Sequence, residues 1–305
     1  MNVLLFGKRG QVGHELLKKL QQLGAVVAFD STEVDFRDDE QVKHVLRQEQ
    51  PDIIVNAAAY TAVDNAESES ALAHQVNATA VGHLASYAND NDALLVHFST
   101  DYVFDGTKDG RYNEQDLCNS FSVYGTSKRD GEERIIESNC KHLILRTSWV
   151  YSNRGTNFIK TILKLATSKA ELNVINDQIG VPTSAQLIAT VTSQILSKYV
   201  ENPVSLKEAY GTYHLSPSGE TNWHEYAKFI VRTAMERGEH LQLPLEAIHP
   251  IPTSQYAQAA IRPKNSLLDT SKLRSAFQIE LPDWQVDVEE TICDLLTSRT
   301  TPYNI

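Results

Sequence analysis

The chain has 305 residues, of which 41% are hydrophobic and 22% charged, and its 39 acidic and 28 basic side chains give a formal net charge of −11 at pH 7. A chain of this length can bury a substantial core, either as one large domain or as two closely packed ones. The acidic excess, without any cluster of lysine and arginine, argues against nucleic acid or an anionic membrane surface as a partner. A local basic spot for a phosphorylated ligand is compatible with it.

The cysteines at Cys118, Cys140 and Cys293 lie far apart and show no C-x-x-C spacing. This pattern favours a reducing compartment over a disulfide framework or a zinc site. The N-terminus lacks the basic and apolar regions of a signal peptide, and no segment has the roughly 20 apolar residues that span a bilayer. We therefore expect a cytoplasmic protein.

The N-terminal segment has the order strand, glycine turn, helix. Val3–Phe6 is a continuous apolar run typical of a strand buried on both faces of a parallel sheet, and it leads into a turn with Gly7, Gly10 and Gly13. An amphipathic helix follows, which Gly24 is expected to end. This order suits a dinucleotide pyrophosphate, because the backbone approaches closely and the helix N-terminus carries partial positive charge. An ordinary tight turn is the alternative.

The second strand, residues 25–29, ends at Asp30. An acidic residue there usually accepts a ribose 2′-hydroxyl and favours NADH. Lys8 and Arg9 in the glycine turn could instead pair with the 2′-phosphate of NADPH. The residues leave the choice between NADPH and NADH open.

Strands and helices continue to alternate through the first half of the chain. Asp38 is a candidate N-cap for a helix over residues 40–48. The further predicted elements are strands over residues 53–55, 94–98 and 143–146 and a helix over residues 72–89 that carries Asn77. This alternation predicts a Rossmann-type, doubly wound parallel sheet in an α/β protein.

Beyond Tyr151 the alternation loosens. We predict helices over residues 158–166, 187–199 and 223–237, a strand over 172–175, and a short strand over 213–215 that could return to the main sheet. Residues 248–263 are punctuated by proline and lack periodicity, which favours a lid or substrate loop. We expect a dinucleotide-binding domain of residues 1–150 plus about 185–215, and a smaller C-terminal substrate-binding lobe of residues 151–184 and 216–305.

Tyr124 and Lys128 are four residues apart, so in a helix they project from the same face. Free tyrosine has a pKa of about 10, and a neighbouring cation favours the phenolate and lowers that pKa. The pair is therefore a candidate proton donor and acceptor for the interconversion of a carbonyl and an alcohol. Thr100, at the end of the strand before it, is a candidate second donor to the same oxygen. A chance Y-x-x-x-K on a partly exposed helix and a hydroxyl that only satisfies backbone are the alternatives.

The order and spacing of these motifs resemble the extended short-chain dehydrogenase/reductase superfamily and, within it, the dTDP-4-dehydrorhamnose reductase family. The narrower resemblance rests on longer strings in both halves of the chain, namely Ser99–Gly106, Arg146–Tyr151, Asn176–Gln178 with Gly180–Thr183, and Arg262–Pro263 with Asn265–Ser266. It covers the chain to about residue 270.

The resemblance implies a function for residues at both ends of a cleft. The implied and predicted cofactor contacts are Gly7, Gly10, Gln11, Val12 and Gly13 at the pyrophosphate, Asp30, Asp35 and Phe36 at the adenosine, and Ala59, Tyr60, Thr61 and Phe98 at the nicotinamide. The implied substrate contacts are Thr100, Asp101 and Trp149. Arg262 is expected either to clamp the nucleotide diphosphate or to brace its own loop.

The implied reaction is hydride transfer from NADPH or NADH to the C4 ketone of dTDP-4-dehydro-β-L-rhamnose, which yields dTDP-L-rhamnose for bacterial surface polysaccharide. Tyr124 would protonate the alkoxide, Thr100 would hold the oxygen, and Lys128 would also hydrogen-bond the nicotinamide ribose. Two alternatives stay open: a regulatory subunit of the same fold that catalyses little, and an epimerase or dehydratase acting on another nucleotide sugar.

The sequence departs from the family pattern at two places. Ser120-Phe121-Ser122 stands where the family has Pro-x-Asn, which leaves the tyrosine and lysine intact. Some members hold Mg²⁺ with glutamates at a dimer contact, and the matching positions here are Glu15, Gln186 and Asp294. An amide in place of a carboxylate weakens such a site. The prediction is therefore Mg²⁺ only as a doubtful ligand, and either a monomer or a homodimer.

Overall fold

We describe residues 1–206 and 209–300 of the protein in a computed structural model. The parts of the two predicted domains at residues 207–208 and 301–305 lie outside the described residues. The strands are β1 Asn2–Phe6, β2 Ala25–Phe29, β3 Ile53–Asn56, β4 Leu94–Thr100, β5 Lys141–Thr147, β6 Val150–Tyr151, β7 Leu172–Ile175, β8 Ile179–Gly180, β9 Thr183–Ser184, β10 Gly211–His214, β11 Thr221–Asn222 and β12 Ile248–Ile251. The helices are α1 Gln11–Leu20, α2 Asp39–Glu49, α3 Val63–Ala66, α4 Ser70–His74, α5 Ala80–Asp90, α6 Val123–Glu137, α7 Phe158–Ala166, α8 Ala185–Glu201, α9 Trp223–Glu236, α10 Ser271–Phe277 and α11 Trp284–Thr300.

A six-stranded parallel sheet with the order β10-β5-β4-β3-β1-β2 forms the centre of the molecule. The chain adds β2 on one side of β1 and then crosses back to add β3, β4, β5 and β10 on the other side, so the topological switch point lies between β1 and β3, and α/β proteins bind ligands at the carboxyl ends of the strands there. The predicted Rossmann-type, doubly wound fold is confirmed. The predicted return strand is also confirmed, since β10 pairs with β5.

Alternate side chains of each strand enter the two cores on either face of the sheet. Val3 and Leu5 of β1 pack with α1, α8 and α10, whereas Leu4 and Phe6 pack with α2, α5 and α6. Both faces are thus covered by helices, which explains why the strands are continuously apolar.

A third core lies in the C-terminal half, built by α7, α9 and α11 with β7 and β12. The structure forms α7 and β7 over the predicted residues, and Asp38 caps α2 by accepting from the backbone N–H groups of Glu40 and Gln41. One segment of the C-terminal half packs elsewhere: Leu273 and Phe277 of α10 belong to the core under the central sheet.

Three local predictions differ from the structure. The first helix ends at Leu20, and residues 21–23 form turns before Gly24. The helix predicted over 72–89 contains a π-helical turn at Gln75–Thr79 between α4 and α5. Residues 248–263, predicted to lack regular structure, contain β12 and a 3₁₀ turn at Thr253–Gln255. The pairing of β12 with β7 spans more than 70 residues of sequence and leaves no local periodicity, which is why the pattern missed it.

Within the described ranges, no helix combines the length and the apolarity that crossing a bilayer requires.

Candidate active site

The glycine turn is a tight cradle at the start of α1. Gly7 has a positive φ of 88°, and a Cβ there would lie 2.6 Å from the carbonyl oxygen of Ala57. A Cβ on Gly13 would lie 2.0 Å from the carbonyl oxygen of Gly7. No side chain caps α1, and Oε1 of Gln11 is buried without a hydrogen-bond partner. Free N–H groups at a helix N-terminus beside such a cradle fit a dinucleotide pyrophosphate.

A cavity of about 440 Å³ extends from this turn along the ends of β1, β2 and β3. The predicted cofactor residues that line it are Gly7, Gly10, Asp30, Asp35, Phe36, Ala59 and Tyr60. The others lie beside it or further along the site: Gln11, Val12 and Gly13 form the first turn of α1, Thr61 is exposed next to Tyr60, and Phe98 is buried in β4.

The basic residues of the glycine turn are already paired with carboxylates. The Nζ atom of Lys8 lies 2.6 Å from Glu33, and Nε of Arg9 lies 2.9 Å from Oδ2 of Asp30. Hydrogen bonds from Thr32 hold the pKa of Asp30 below its ordinary value, helped by the charges of Arg9 and Lys8. The cavity thus presents an acceptor, Asp30, and an exposed cation, Arg9, at the same place.

Asn77, in the π-helical turn, fixes the backbone of Tyr60 at the other end of the cavity. Its Oδ1 accepts from the N–H of Tyr60 at 2.9 Å, and its Nδ2 donates to the Tyr60 carbonyl at 3.1 Å and to Ser127 at 3.0 Å. The π turn directs the Asn77 side chain towards Ser127 of α6. Single π turns inside α-helices occur frequently at functional sites.

Ser122 begins α6, the helix that carries Tyr124 and Lys128. Its side chain accepts from the N–H of Gly125 at 3.1 Å, and Ser120 in turn bonds the backbone of Ser122. Serine is as good an N-cap as asparagine, which explains how the departure from Pro-x-Asn preserves the helix start.

The hydroxyl groups of Tyr124 and Thr100 meet at the end of β4. Burial raises the pKa of Tyr124 to about 12, while a hydrogen bond with the Thr100 side chain opposes the shift and the charge of Asp101 adds to it. We predicted from the sequence that Lys128 lowers this pKa; in the structure the Lys128 amine contacts Phe98 and His97 instead, and burial dominates. Tyr124 is therefore a fully protonated phenol at neutral pH.

Lys128 is buried, with 2% of its surface exposed. Its Nζ donates to the carbonyl of Phe98 at 2.7 Å and lies 3.0 Å from Nε2 of His97. Burial lowers its pKa to about 8, against the opposing charge of Glu132. The carbonyl of Phe98 and the imidazole of His97 hold the amine against β4.

Asp101 lies directly after Thr100 and is 2% exposed. Its Oδ1 accepts from the Thr100 hydroxyl at 3.1 Å, and Oδ2 is buried without a partner. Burial raises its pKa to about 6, although hydrogen bonds from Ser266 and Thr100 favour the carboxylate. An acidic group with an unused acceptor fits a contact to a polyhydroxylated ligand.

A second cavity, of about 320 Å³, lies between the central sheet and the C-terminal core. Trp149 lines it, stacked on Trp223 with ring centroids 3.7 Å apart. Nε1 of Trp223 donates to Gln178 at 3.1 Å. Tyr102 also lines the cavity and packs edge-on against Tyr124 at 5.5 Å, so the predicted acid adjoins the space that Trp149 borders.

Arg262 borders this cavity and a neighbouring one of about 1050 Å³. One guanidinium nitrogen, NH2, lies 2.6 Å from Oδ2 of Asp64, and NH1 is buried without a partner. The two expectations for Arg262 are thus compatible: one nitrogen braces the loop, and the other is available to an anionic ligand.

The candidate metal positions are occupied by other contacts. Glu15 pairs with Lys18 at 3.0 Å, and Oδ2 of Asp294 accepts from Asn153 at 3.0 Å. Gln186 lies in the first turn of α8. In residues 1–206 and 209–300, no group of three or more histidine, cysteine or acidic side chains is arranged to hold a metal ion.

No functional role was predicted for His97, Asn56 or Trp223, and Gln178 was noted only as part of a family string. His97 sits inside an apolar strand, and Trp223 and Gln178 lie far from Trp149 in the chain. A buried polar residue in an otherwise apolar strand is the signal that could have drawn attention to His97.

The sheet, glycine cradle and Tyr–Lys helix together define a Rossmann-type α/β protein. The model of the RmlD substrate binding domain matches residues 1–297, and the chain belongs to that family. It is 46% identical to a dTDP-4-dehydrorhamnose reductase of Escherichia coli K12 over 98% of this chain and 99% of the relative. The superfamily and family resemblance drawn from the motifs is thereby confirmed.

Solved structures agree with this placement. A crystal structure of dTDP-4-dehydrorhamnose reductase from Bacillus anthracis in complex with NADP superposes with a TM-score of 0.84 at 33% identity, covering 96% of this chain and 99% of that one. A UDP-glucose 4-epimerase from Thermus thermophilus in complex with NAD, at 18% identity and a TM-score of 0.77 over 97% and 99% of the two chains, shares the fold alone.

Proposed function

We propose that the protein is an NAD(P)H-dependent reductase that converts dTDP-4-dehydro-β-L-rhamnose to dTDP-β-L-rhamnose, the last step of dTDP-L-rhamnose synthesis. The observation that carries the proposal is the phenol of Tyr124, hydrogen-bonded with Thr100 and packed on Tyr102, which lines the second cavity. The names of relatives such as the 46% identical reductase support the same substrate.

The glycine cradle, the uncapped start of α1 and the orphaned Gln11 oxygen fit a dinucleotide. A reduced nicotinamide supplies the hydride when it is bound. The NADP in the related Bacillus anthracis structure supports this cofactor class for the present chain. Asp30 is the proposed partner of an adenosine ribose, and Arg9 that of a 2′-phosphate.

Tyr124 acts as the proton donor in this proposal. A pKa of about 12 keeps the phenol protonated at neutral pH, which is the state required to protonate an alkoxide. The new O–H bond forms as the phenolic O–H bond breaks, and the phenolate remains on Tyr124. Solvent replaces the proton before the next turnover.

Thr100 and Lys128 support that transfer from two sides. The single proton of the Thr100 hydroxyl, which is donated to Asp101 in this structure, is proposed to turn to the substrate oxygen and stabilise charge there, and Lys128 is proposed to hydrogen-bond the nicotinamide ribose. The carbonyl of Phe98 holds Lys128 in position.

The nucleotide sugar is proposed to occupy the second and third cavities, between the central sheet and the C-terminal core. Trp149 would pack on the ligand, Asp101 would accept from a sugar hydroxyl, and NH1 of Arg262 would contact the diphosphate. The division into a dinucleotide-binding domain (residues 1–150 and about 185–215) and a substrate-binding lobe (151–184 and 216–305) belongs to this proposal. The choice between a monomer and a homodimer stays a prediction, as do Mg²⁺ binding and a cytoplasmic location.

The proposal is tested by following NADPH and NADH oxidation with dTDP-4-dehydrorhamnose and with other 4-keto nucleotide sugars. We expect turnover with the rhamnose precursor and exchangeable cofactor. Folded protein without turnover would favour a regulatory subunit, whereas stoichiometric NAD⁺ retained through purification would favour an epimerase or dehydratase.

A further inference from the structure

Lys128, His97 and Asn56 form a buried chain of polar side chains. Nζ of Lys128 lies 3.0 Å from Nε2 of His97, and Nδ1 of His97 lies 3.0 Å from Nδ2 of Asn56. The three residues are 2%, 0% and 1% exposed. Because bulk water does not reach them, each contact needs one donor and one acceptor from the side chains themselves.

The backbone N–H of Ala58 fixes the orientation of the Asn56 amide. This N–H lies 3.1 Å from Oδ1 of Asn56. A backbone N–H can only donate, so the amide atom facing it must be the carbonyl oxygen. The amide nitrogen of Asn56 then faces His97 as a donor. The usual ambiguity between the two amide atoms is thus resolved by chemistry.

The Asn56 donor determines which nitrogen of His97 carries the proton. Burial holds the pKa of His97 well below its ordinary value, so the imidazole is neutral and has one donor and one acceptor. Since Nδ1 accepts from Asn56, the proton resides on Nε2, and this N–H is directed at Nζ of Lys128. An ammonium has three donors and no acceptor, whereas a neutral amine has a lone pair that can accept.

We propose that Asn56 holds His97 in the Nε2–H tautomer, and that this N–H shifts the proton equilibrium of Lys128 towards the neutral amine. His97 and Asn56 are then positioning residues that act through Lys128. The inference deepens the proposed function and rests on it for its catalytic meaning, because it concerns the proton state of the lysine beside the proton donor.

The other charged groups near Lys128 do not dominate its proton equilibrium, because most of them are paired with other residues. On α6, Glu132 opposes it but is held by Arg146 of β5 at 2.5 Å, and Tyr124 lies one turn earlier. Asp101 follows β4, and further out His74 of α4 pairs with Asp130 at 3.3 Å while Glu67, after α3, accepts from the N–H of Val123. The pKa of about 8 for Lys128 brings its proton exchange close to neutral pH.

The tautomer is measured directly by ¹⁵N NMR of the imidazole nitrogens in the histidine-labelled full-length protein, without substrate or cofactor. The His97→Gln variant identifies the His97 signals by their loss. We expect a protonated Nε2 and an unprotonated Nδ1 from pH 6 to 9. A protonated Nδ1 or a doubly protonated ring would overturn the proposal.

Asn56→Asp reverses the donor at the end of the chain. A carboxylate accepts from both Ala58 and His97, so the ring should change to the Nδ1–H tautomer, and Nε2 should accept from a Lys128 ammonium. The proposal assigns the alkaline limb of the kcat/KM profile to proton loss from Lys128. Because the variant stabilises the ammonium, we expect this limb to move up by about one pH unit or more. An inverted tautomer with an unmoved limb would refute the effect on Lys128. Asn139→Asp, at an exposed site, is the matched control and should change neither readout.

The two proposals fail in distinguishable ways. The Nε2–H tautomer in a protein that reduces no 4-keto nucleotide sugar would overturn the proposed function alone. Turnover by a protein with the Nδ1–H tautomer would overturn the present inference alone.

Discussion

The indole rings of Trp149 and Trp223 stack almost in parallel, with centroids 3.7 Å apart and an interplanar angle of 15°. Trp149 follows β5 of the central sheet and has a positive φ of 47°, whereas Trp223 begins α9 of the C-terminal core. A bulky residue in the left-handed region is strained, and such strain concentrates at functional sites. The stack therefore connects the two halves of the molecule at the proposed substrate cavity.

Gly180→Ala should disrupt this stack, because Gly180 lies against the indole ring of Trp149. The added Cβ would lie 2.5 Å from Cε2 of Trp149, so the indole must shift. We expect KM for the nucleotide sugar to rise by up to about tenfold, with cofactor affinity unchanged, because stacked aromatic contacts contribute about 0.5–1.5 kcal/mol beyond the apolar area they bury. Steady-state kinetics and cofactor titration measure both. Trp149→Phe, which retains an aromatic face, should have a smaller effect; an unchanged KM in both variants would contradict the proposed contact.

Tyr124→Phe removes the proposed acid and keeps the ring. We expect kcat to fall by roughly 10²–10⁴-fold, while Kd for the cofactor stays within about twofold. Single-turnover kinetics with pre-bound cofactor isolate the chemical step. A kcat close to that of the wild type would rule out Tyr124 as the proton donor.

Arg9→Gln tests the origin of cofactor preference. The exposed guanidinium lies 2.9 Å from Asp30, and a 2′-phosphate would bind it more strongly than a ribose hydroxyl. We predict that KM for NADPH rises about tenfold and that KM for NADH changes little. Arg47→Gln, on α2 outside the cofactor cavity, serves as the control. Equal changes for both cofactors would count against the assignment of Arg9 to the phosphate.

Asp101→Asn should stabilise the protein in a pH-dependent way. Burial raises the pKa of Asp101 from 3.8 to about 6, so between these values the folded state binds more protons than the unfolded state. The contribution of this group to stability therefore falls as pH rises through that window and is lowest above pH 6. At pH 7 we expect the variant to gain up to about 3 kcal/mol in free energy of unfolding, at about 1.4 kcal/mol per pKa unit.

The gain should disappear near pH 4, where the Asp101 carboxyl is neutral in the wild type as well. Urea unfolding of both proteins across pH 4–8 measures the difference. A gain of equal size at every pH would show that the ionisation of Asp101 is not its cause.

Glu132→Gln should strongly destabilise the fold. Glu132 forms a two-oxygen contact with Arg146, at 2.9 Å and 2.5 Å, and both residues are almost fully buried. Removing the carboxylate charge leaves the Arg146 guanidinium without its counter-ion, at a cost of about 3–5 kcal/mol. Thermal and urea unfolding of the wild type and the variant measure this loss in free energy of unfolding. The half-exposed pair of Arg237 and Glu289 is the comparison: Glu289→Gln should cost less than about 1 kcal/mol.

The amino-acid sequence by itself determined the fold class and the identity of the predicted acid. Three features are local patterns: the apolar runs of the strands, the glycine turn, and the four-residue spacing of Tyr124 and Lys128. Helix or strand geometry alone determines which side chains in such a pattern share a face. The position of Thr100 at the end of an apolar strand was likewise predicted from a local pattern. The roles of these residues stay predictions, but their positions followed from local periodicity.

Only the tertiary structure decided what surrounds them. The contacts of His97 with Lys128 and Asn56 join residues 31 and 41 positions apart, and Trp223 reaches Gln178 across 45. Such pairs depend on which strands become neighbours and how helices pack on them, and a local pattern carries no information about either. Burial, which raises the pKa of Tyr124 and lowers that of Lys128, is likewise a property of the assembled molecule.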